Sequence, residues 1–192
     1  MKSWLTKQYQ DATSRFDEVM DNLYPETKLY SKNAKFFLDY ISKETNYIEA
    51  FNVINWNKHI HRNSTLIDMA CRIGWVSAKL SKLKNVKKIY CIDYSKFYIK
   101  EMLPKIFKQM NGNIEKVIAV EGIFTPILLK NASVDCIILS AAIHHAENMQ
   151  DVLKEAPRVL KKDGILFILN ENPLLSSRYL LKCTKFFMKV LL

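Results

Sequence analysis

Between residues 64 and 173 the chain repeats a short apolar run followed by a longer amphipathic stretch, and this rhythm constrains the fold more than any other feature. The runs are Leu66 to Met69, Lys88 to Ile92, Lys116 to Val120, Val134 to Leu139 and Ile165 to Leu169. Each is rich in Ile, Val and Leu and apolar at nearly every position, whereas a strand with one wet face would alternate. They predict parallel strands covered on both faces. The pieces between them, Val76 to Leu83, Lys96 to Met110 and Met149 to Leu160, carry helical spacing. Strand and helix in alternation predict a doubly wound, mainly parallel α/β sheet of about five strands.

The flanks read differently. Lys2 to about His61 is mostly helical in pattern, with Phe16, Met20 and Leu23 spaced by four and three, a break at Pro25, then Phe36, Phe37, Tyr40 and Ile41 on one face. Residues 174–192 read as a basic amphipathic helix carrying Arg178, Lys182, Lys185 and Lys189; it is expected to cover the last strand, with a membrane surface or a missing partner as alternatives. The domain organisation is therefore a helical cap (1–63), an α/β core (64–173) and a C-terminal helix (174–192), within one domain overall. A length of 192 residues with 49% hydrophobic content supports a sizeable core and excludes a disordered chain. No apolar run reaches the roughly 18 to 20 residues that span a bilayer, and Met1 to Gln10 lacks the apolar stretch of a signal peptide, so a soluble cytoplasmic protein is expected. Cys71, Cys91, Cys136 and Cys183 are too far apart in sequence for the close spacing of zinc or redox pairs and are expected to be small buried thiols. The formal charge of +10 is concentrated in residues 65–120 and 174–192.

In an open parallel sheet, ligands bind beyond the carboxyl ends of the strands, so the loops after the runs are the place to look for chemistry. The first is Asp68-Met-Ala-Cys-Arg-Ile-Gly-Trp75, which leads into a helix. A dinucleotide turn needs glycines spaced G-x-G-x-x-G, and aligned from Ala70 those positions hold Ala70, Arg72 and Trp75. The turn therefore speaks against a nicotinamide or flavin dinucleotide. The second run ends in Asp93, 25 residues after Asp68. A carboxylate there can receive two ribose hydroxyls, or cap the helix that follows.

Asp68, Cys71 and Gly74 on a strand, turn and helix resemble the D-x-G-x-G-x-G motif of class I S-adenosylmethionine-dependent methyltransferases, with Ala70 and Arg72 at two of the glycine positions. The stretch from Ser133-Val-Asp135 through His144-His145 to Arg158-Val-Leu-Lys-Lys-Asp163-Gly164 is similar to that family's fourth strand, paired histidines and turn into the fifth strand. Over residues 64–173 the chain resembles the small-molecule branch of the family, which implies a Rossmann-like fold and S-adenosylmethionine as cofactor.

The resemblance implies further that the turn of Asp68, Ala70, Cys71, Arg72 and Gly74 holds the methionyl end. Asp93 and Tyr94 would hold the ribose side, and Gly122, Ile123 and Phe124 the adenine, with Glu121 as the nearby acid. Ser140 and Ala141 would lie by the cofactor's amino-acid portion. His144 and His145 would stand at the mouth of the site, where a neutral imidazole can take a proton from a substrate hydroxyl; a local capping role is the alternative. Arg158, Val159 and Leu160 are expected to be structural, with Asp163 and Gly164 forming a turn.

Two roles are open for Arg72: its side chain can fill the site or pair with the cofactor's carboxylate. The expected function is methyl transfer to a small molecule, at a hydroxyl. The alternatives are a degenerate methyltransferase fold used for binding or scaffolding, and RNA methylation suggested by Lys79, Lys82, Lys84, Lys87 and Lys88. Nucleic acid is the weaker partner, since arginines and aromatics are sparse in that cluster. The resemblance implies seven strands where five are legible, which leaves the outer side of the fifth bare; a truncated chain, an unusual short form, and a homo-oligomer or partner covering that edge are the alternatives.

Overall fold

The computed structural model describes residues 1–7, 9–11 and 33–171. Phe16, Met20, Leu23 and Pro25, the C-terminal helix expected at 174–192 and Cys183 lie outside the described residues. Strands β1 (Lys2–Ser3), β2 (Ser64–Met69), β3 (Val86–Asp93), β4 (Val117–Glu121), β5 (Val134–Ser140) and β6 (Leu160–Leu169) form one sheet in the order β1-β4-β3-β2-β5-β6. Every pairing in it is parallel.

Six strands replace the expected five because Lys2–Ser3 adds an edge strand to β4, with Lys2 opposite Val120 and Ser3 opposite Glu121. A strand of two residues has no periodicity to read. The other five lie where the apolar runs predict; β2, β3 and β5 extend one to three residues further, β4 is shifted by one residue, and β6 starts five residues earlier, at Leu160.

Burial explains why those runs are continuous. Leu66, Cys136 and Ile138 face a core formed with helices α1 (Ala34–Lys43), α2 (Tyr47–Asn52), α3 (Trp56–His59), α4 (Trp75–Leu80) and α5 (Leu103–Gln109). Ile67, Met69, Ile137 and Leu139 face a second core on the other side, closed by α6 (Met149–Val159) through Val152, Ala156 and Val159. Alternate residues thus point to opposite layers, and both layers are dry.

The N-terminal helices are shorter than their sequence pattern suggests. In α1, capped by Asn33 Oδ1 accepting from Phe36 N at 3.2 Å, Phe37 and Ile41 are buried while Phe36 and Tyr40 are exposed. The four aromatic and aliphatic residues are two pairs four apart, and only one pair meets the core. The helix expected over Lys96 to Met110 opens at Lys96 and widens into a π-helical turn, Tyr98–Met102, before α5. Pro104 at the second position of α5 has no N–H for an i→i−4 bond, which favours the wider turn before it.

Two connections differ from a simple β-α-β unit. Asp163 and Gly164 lie within β6, where the register jumps from Val134 opposite Leu160 to Cys136 opposite Ile165, so the expected turn is built as an irregularity of the strand. After β4 the chain returns to β5 through a non-helical segment held by α6: Arg158 donates to the carbonyls of Ile127 (2.6 Å) and Leu129 (2.9 Å), and Ile127 N donates to Glu155. Cys71, Cys91 and Cys136 are buried free thiols, as expected. Among the described residues β6 pairs only with β5, and no helix is long and apolar enough to cross a membrane.

Candidate functional site

The carboxyl ends of β2 to β6 converge on one edge of the sheet, and the turn after β2 forms its centre. Ala70, Arg72 and Gly74 all have positive φ, at 52°, 49° and 77°. These are the three glycine positions of the motif that the turn resembles. The backbone keeps the left-handed geometry at two positions where the side chain disfavours it, at a cost of roughly 1–2 kcal/mol each. Cys71 N donates to Ile92 O at 2.9 Å, and Gly74 N to Cys71 O at 2.8 Å, which closes the turn against β3.

Two buried carboxyl groups brace this cradle. Asp68 Oδ2 accepts from Ser77 N (3.1 Å) and Ser77 Oγ (2.6 Å), while Cys91 Sγ donates to the same hydroxyl at 3.0 Å. Burial pushes the Asp68 carboxyl up to about 7, with the Ser77 bonds opposing the shift. Ser77 is a residue that the motif does not mark, since it lies a turn into α4. Asp93 accepts from Arg72 N at 2.6 Å through one oxygen and from Ser95 N at 2.9 Å through the other. It therefore caps the next segment and also ties the two turns together.

The loop after β4 lies beside Asp93, with Gly122 N donating to Asp93 O at 2.8 Å. A Cβ at Gly122 would meet Ile92 Cγ2 at 3.0 Å, so glycine lets this loop approach the strand closely. Tyr94 and Ile123 are half-buried on either side of this contact. Phe124 packs against the α6-side core, and Glu121 is buried at the end of β4.

Beyond β5 the structure forms a second polar group. Ser140 Oγ accepts from Asn170 Nδ2 at 2.7 Å, and Ala141, at φ 49°, donates its N–H to Leu169 O. Glu171 Oε1 then accepts from Ala142 N (2.7 Å) and Ile143 N (2.9 Å), while its other oxygen meets His144 Nδ1 at 2.6 Å. A carboxylate only accepts, so Nδ1 carries the proton in this contact, and in the neutral ring that tautomer leaves the lone pair on Nε2. His144 is exposed and its ring lies 4.0 Å from that of His145. Burial and the neighbouring His144 hold the His145 imidazole below its ordinary range, with Glu171 opposing.

Arg72 connects these groups to the N-terminal helices. Its guanidinium lies over the ring of Phe37 at 5.2 Å and that of Tyr98 at 5.5 Å. Tyr47 on α2 feels it too: burial raises the phenol, Tyr40 and Glu171 add to the shift, and Arg72 opposes it. Glu171, Tyr47, Phe37 and Tyr98 are absent from the sequence-based set of site residues because each lies on a different element. No spacing rule links residues 37, 47, 98 and 171. Two surface clefts, of about 330 Å³ at Lys88 and Lys130 and about 410 Å³ at Asp151 and Arg158, contain none of these site residues.

A family model described as a methyltransferase domain matches residues 67–168, more than half of the chain's 192 residues. The chain belongs to the methyltransferase-domain family. The matched span of this methyltransferase domain runs from β2 into β6 and includes the cradle, the loop after β4 and both histidines. The ubiquinone/menaquinone biosynthesis C-methyltransferase UbiE of Campylobacter jejuni (strain 81-176) is 27% identical over 139 residues, covering 70% of this chain and 56% of that protein. The chain thus spans about half the length of the curated relatives it matches. Among solved structures, a SAM-dependent methyltransferase from Aquifex aeolicus is similar at TM-score 0.54 and 22% identity, over 64% of this chain and 65% of that one. A candidate methyltransferase from Bacillus halodurans C-125 reaches TM-score 0.58 at 20% identity, over 72% of this chain and 56% of the other. These likenesses are of fold.

Proposed function

We propose that the protein transfers the methyl group of S-adenosylmethionine to a small molecule bearing an ionisable hydroxyl, and that the methyl goes to the carbon conjugated with it. The observation that carries this reading is the His144–Glu171 pair standing beside the left-handed cradle of Ala70, Arg72 and Gly74 on one edge of the sheet. The cradle fits an adenosyl cofactor: two buried carboxyl groups brace a left-handed turn on which Arg72 is exposed, and glycine lets the neighbouring loop approach closely. When bound, that cofactor supplies an electrophilic methyl group on a sulfonium. Asp68, Asp93 and the turn between them hold and orient it, which is much of what such a transfer needs.

The histidine supplies the remaining step. Nε2 of His144 accepts the acceptor's hydroxyl proton, and Glu171 stabilises the imidazolium that forms. The resulting anion is nucleophilic at oxygen and at the conjugated carbon; methylation at carbon would break the S–CH3 bond with release of the thioether, after which the carbon's own proton is lost to solvent and the imidazolium returns its proton to the oxygen, restoring the hydroxyl and the neutral histidine. Carbon is favoured because the UbiE relatives are C-methyltransferases by name. The hydroxyl expected from the sequence then serves as the ionising group rather than the methylated atom.

The test is a screen of phenolic and enolic acceptors with S-adenosylmethionine, with product analysed for C- against O-methylation. His144→Ala and Glu171→Gln are expected to lower kcat by roughly 10²–10⁴-fold and leave the affinity for S-adenosylhomocysteine unchanged. Unchanged turnover in both variants would remove the base from the mechanism. Arg72 at a glycine position favours a second reading, a fold that binds its partners without turnover; failure of the folded chain to bind S-adenosylhomocysteine would select it.

A further inference from the structure

The one arginine on the catalytic edge among the described residues is Arg72, and it stands where a side chain is least expected. Its backbone has φ 49°, a conformation that glycine adopts freely and a branched Cα does not. Strain kept at such a position calls for a return from the side chain. The guanidinium is held between Phe37 on α1 and Tyr98 after β3, at 5.2 and 5.5 Å from the two ring centres. Stacking of this kind fixes a planar cation but satisfies none of its charge with an anion.

The acidic groups nearby are already directed elsewhere. Asp93 takes the backbone N–H of Arg72, not its guanidinium, and Glu171 is bound by His144 and two backbone N–H groups. The ion pairs found among the described residues are His144–Glu171, Lys154–Asp151, Arg158–Glu155 and Lys161–Asp135, so Arg72 is in none of them. Of the other described arginines, Arg158 is held by Glu155, and Arg62 precedes β2 at the opposite end of the sheet. A positioned guanidinium on this edge therefore awaits an anion from outside the described chain.

We propose that Arg72 binds the carboxylate at the methionyl end of S-adenosylmethionine. The inference rests on the cofactor reading above. The amino group and the sulfonium of that cofactor are both cationic, so the carboxylate is the charge that a guanidinium can pair with. Arg72 lies on the turn between Asp93 and the His144–Glu171 pair, so a ligand laid along the edge from one to the other passes over it. The two fork N–H groups of a guanidinium match a carboxylate in a way that the lysine point charge does not.

Ligand truncation tests the pairing without relying on turnover. The full chain and its Arg72→Met, Arg72→Lys and Arg72→Gly variants are titrated calorimetrically with S-adenosylhomocysteine and with 5′-methylthioadenosine, which lacks the amino-acid end. Thermal unfolding checks the fold of each. Arg72→Met is expected to weaken S-adenosylhomocysteine by about 10- to 100-fold and leave 5′-methylthioadenosine unchanged, with Arg72→Lys intermediate. Equal losses for both ligands overturn the proposal, because they mark a disturbed turn. So does tighter S-adenosylhomocysteine binding by Arg72→Gly, which would show that the side chain obstructs the site. If Arg72→Met does not fold, the comparison of Arg72→Lys with wild type gives the same decision. Wild type and all variants failing to bind either nucleoside removes the cofactor reading itself, and this proposal with it.

Discussion

At Asp68 folding favours the protonated form of a carboxyl group, because the side chain is buried between β2 and α4 and its ordinary range is shifted up to about 7. The folded protein therefore holds a proton that the unfolded chain releases near pH 4, so stability is fullest below that value and declines as pH rises toward 7. The slope across this window is up to about 1.4 kcal/mol per pH unit from this group. Asp68→Asn keeps an acceptor for the Ser77 bonds and cannot titrate. Its urea midpoint is expected to be flatter than that of wild type between pH 4.5 and 7, and parallel curves would assign the burial cost elsewhere. Asp68 and Asp93 were singled out from strand ends, and Gly122 and His144 from the family resemblance. Ser77, which bonds Asp68, and Glu171, which meets His144, were not, because hydrogen bonds between elements leave no periodic trace.

Helix α6 shows how one element secures another without regular pairing. Arg158 reaches the carbonyls of Ile127 and Leu129 and the side chain of Asn131, while Glu155 receives both Arg158 and Ile127 N. The neighbouring arginine also lowers the Glu155 carboxyl, by its hydrogen bond above all. The segment between β4 and β5 is thus fixed to a helix rather than forming one. Arg158→Ala leaves these carbonyls to solvent and is expected to lower the melting temperature by roughly 3–6 °C, with no change in S-adenosylhomocysteine affinity. A loss of affinity would mean that the loop transmits its position to Gly122. The structural role expected for Arg158 from sequence rests on this set of bonds. The helix expected over Lys96 to Met110 is likewise present, with a π-helical turn at Tyr98–Met102 ahead of Pro104.

For the whole molecule, the question is whether the N-terminal helices are a separate cap. Trp56 on α3 lies 4.7 Å from the ring of Phe51 and 4.9 Å from that of Phe167 on β6, and donates Nε1–H to Phe51 O. Phe37, Ile41 and Phe51 share one buried cluster with Leu66, Ile89 and Phe107. Trp56→Ala is expected to cost about 3–5 kcal/mol and to leave a single calorimetric transition, because cap and core lose the same contacts. Two transitions would make residues 1–63 a unit of their own. The sequence by itself determined the parallel α/β class, because residues dry on both faces must be apolar at every position, and it located the carboxyl-end loops on which the proposed cofactor site is built. It could not supply the two-residue edge strand Lys2–Ser3, the inward choice of Phe37 and Ile41 over Phe36 and Tyr40, or the meeting of Arg72 with Phe37 and Tyr98 and of His144 with Glu171. Those depend on distances between residues far apart in the chain, and only packing the layers against one another sets such distances.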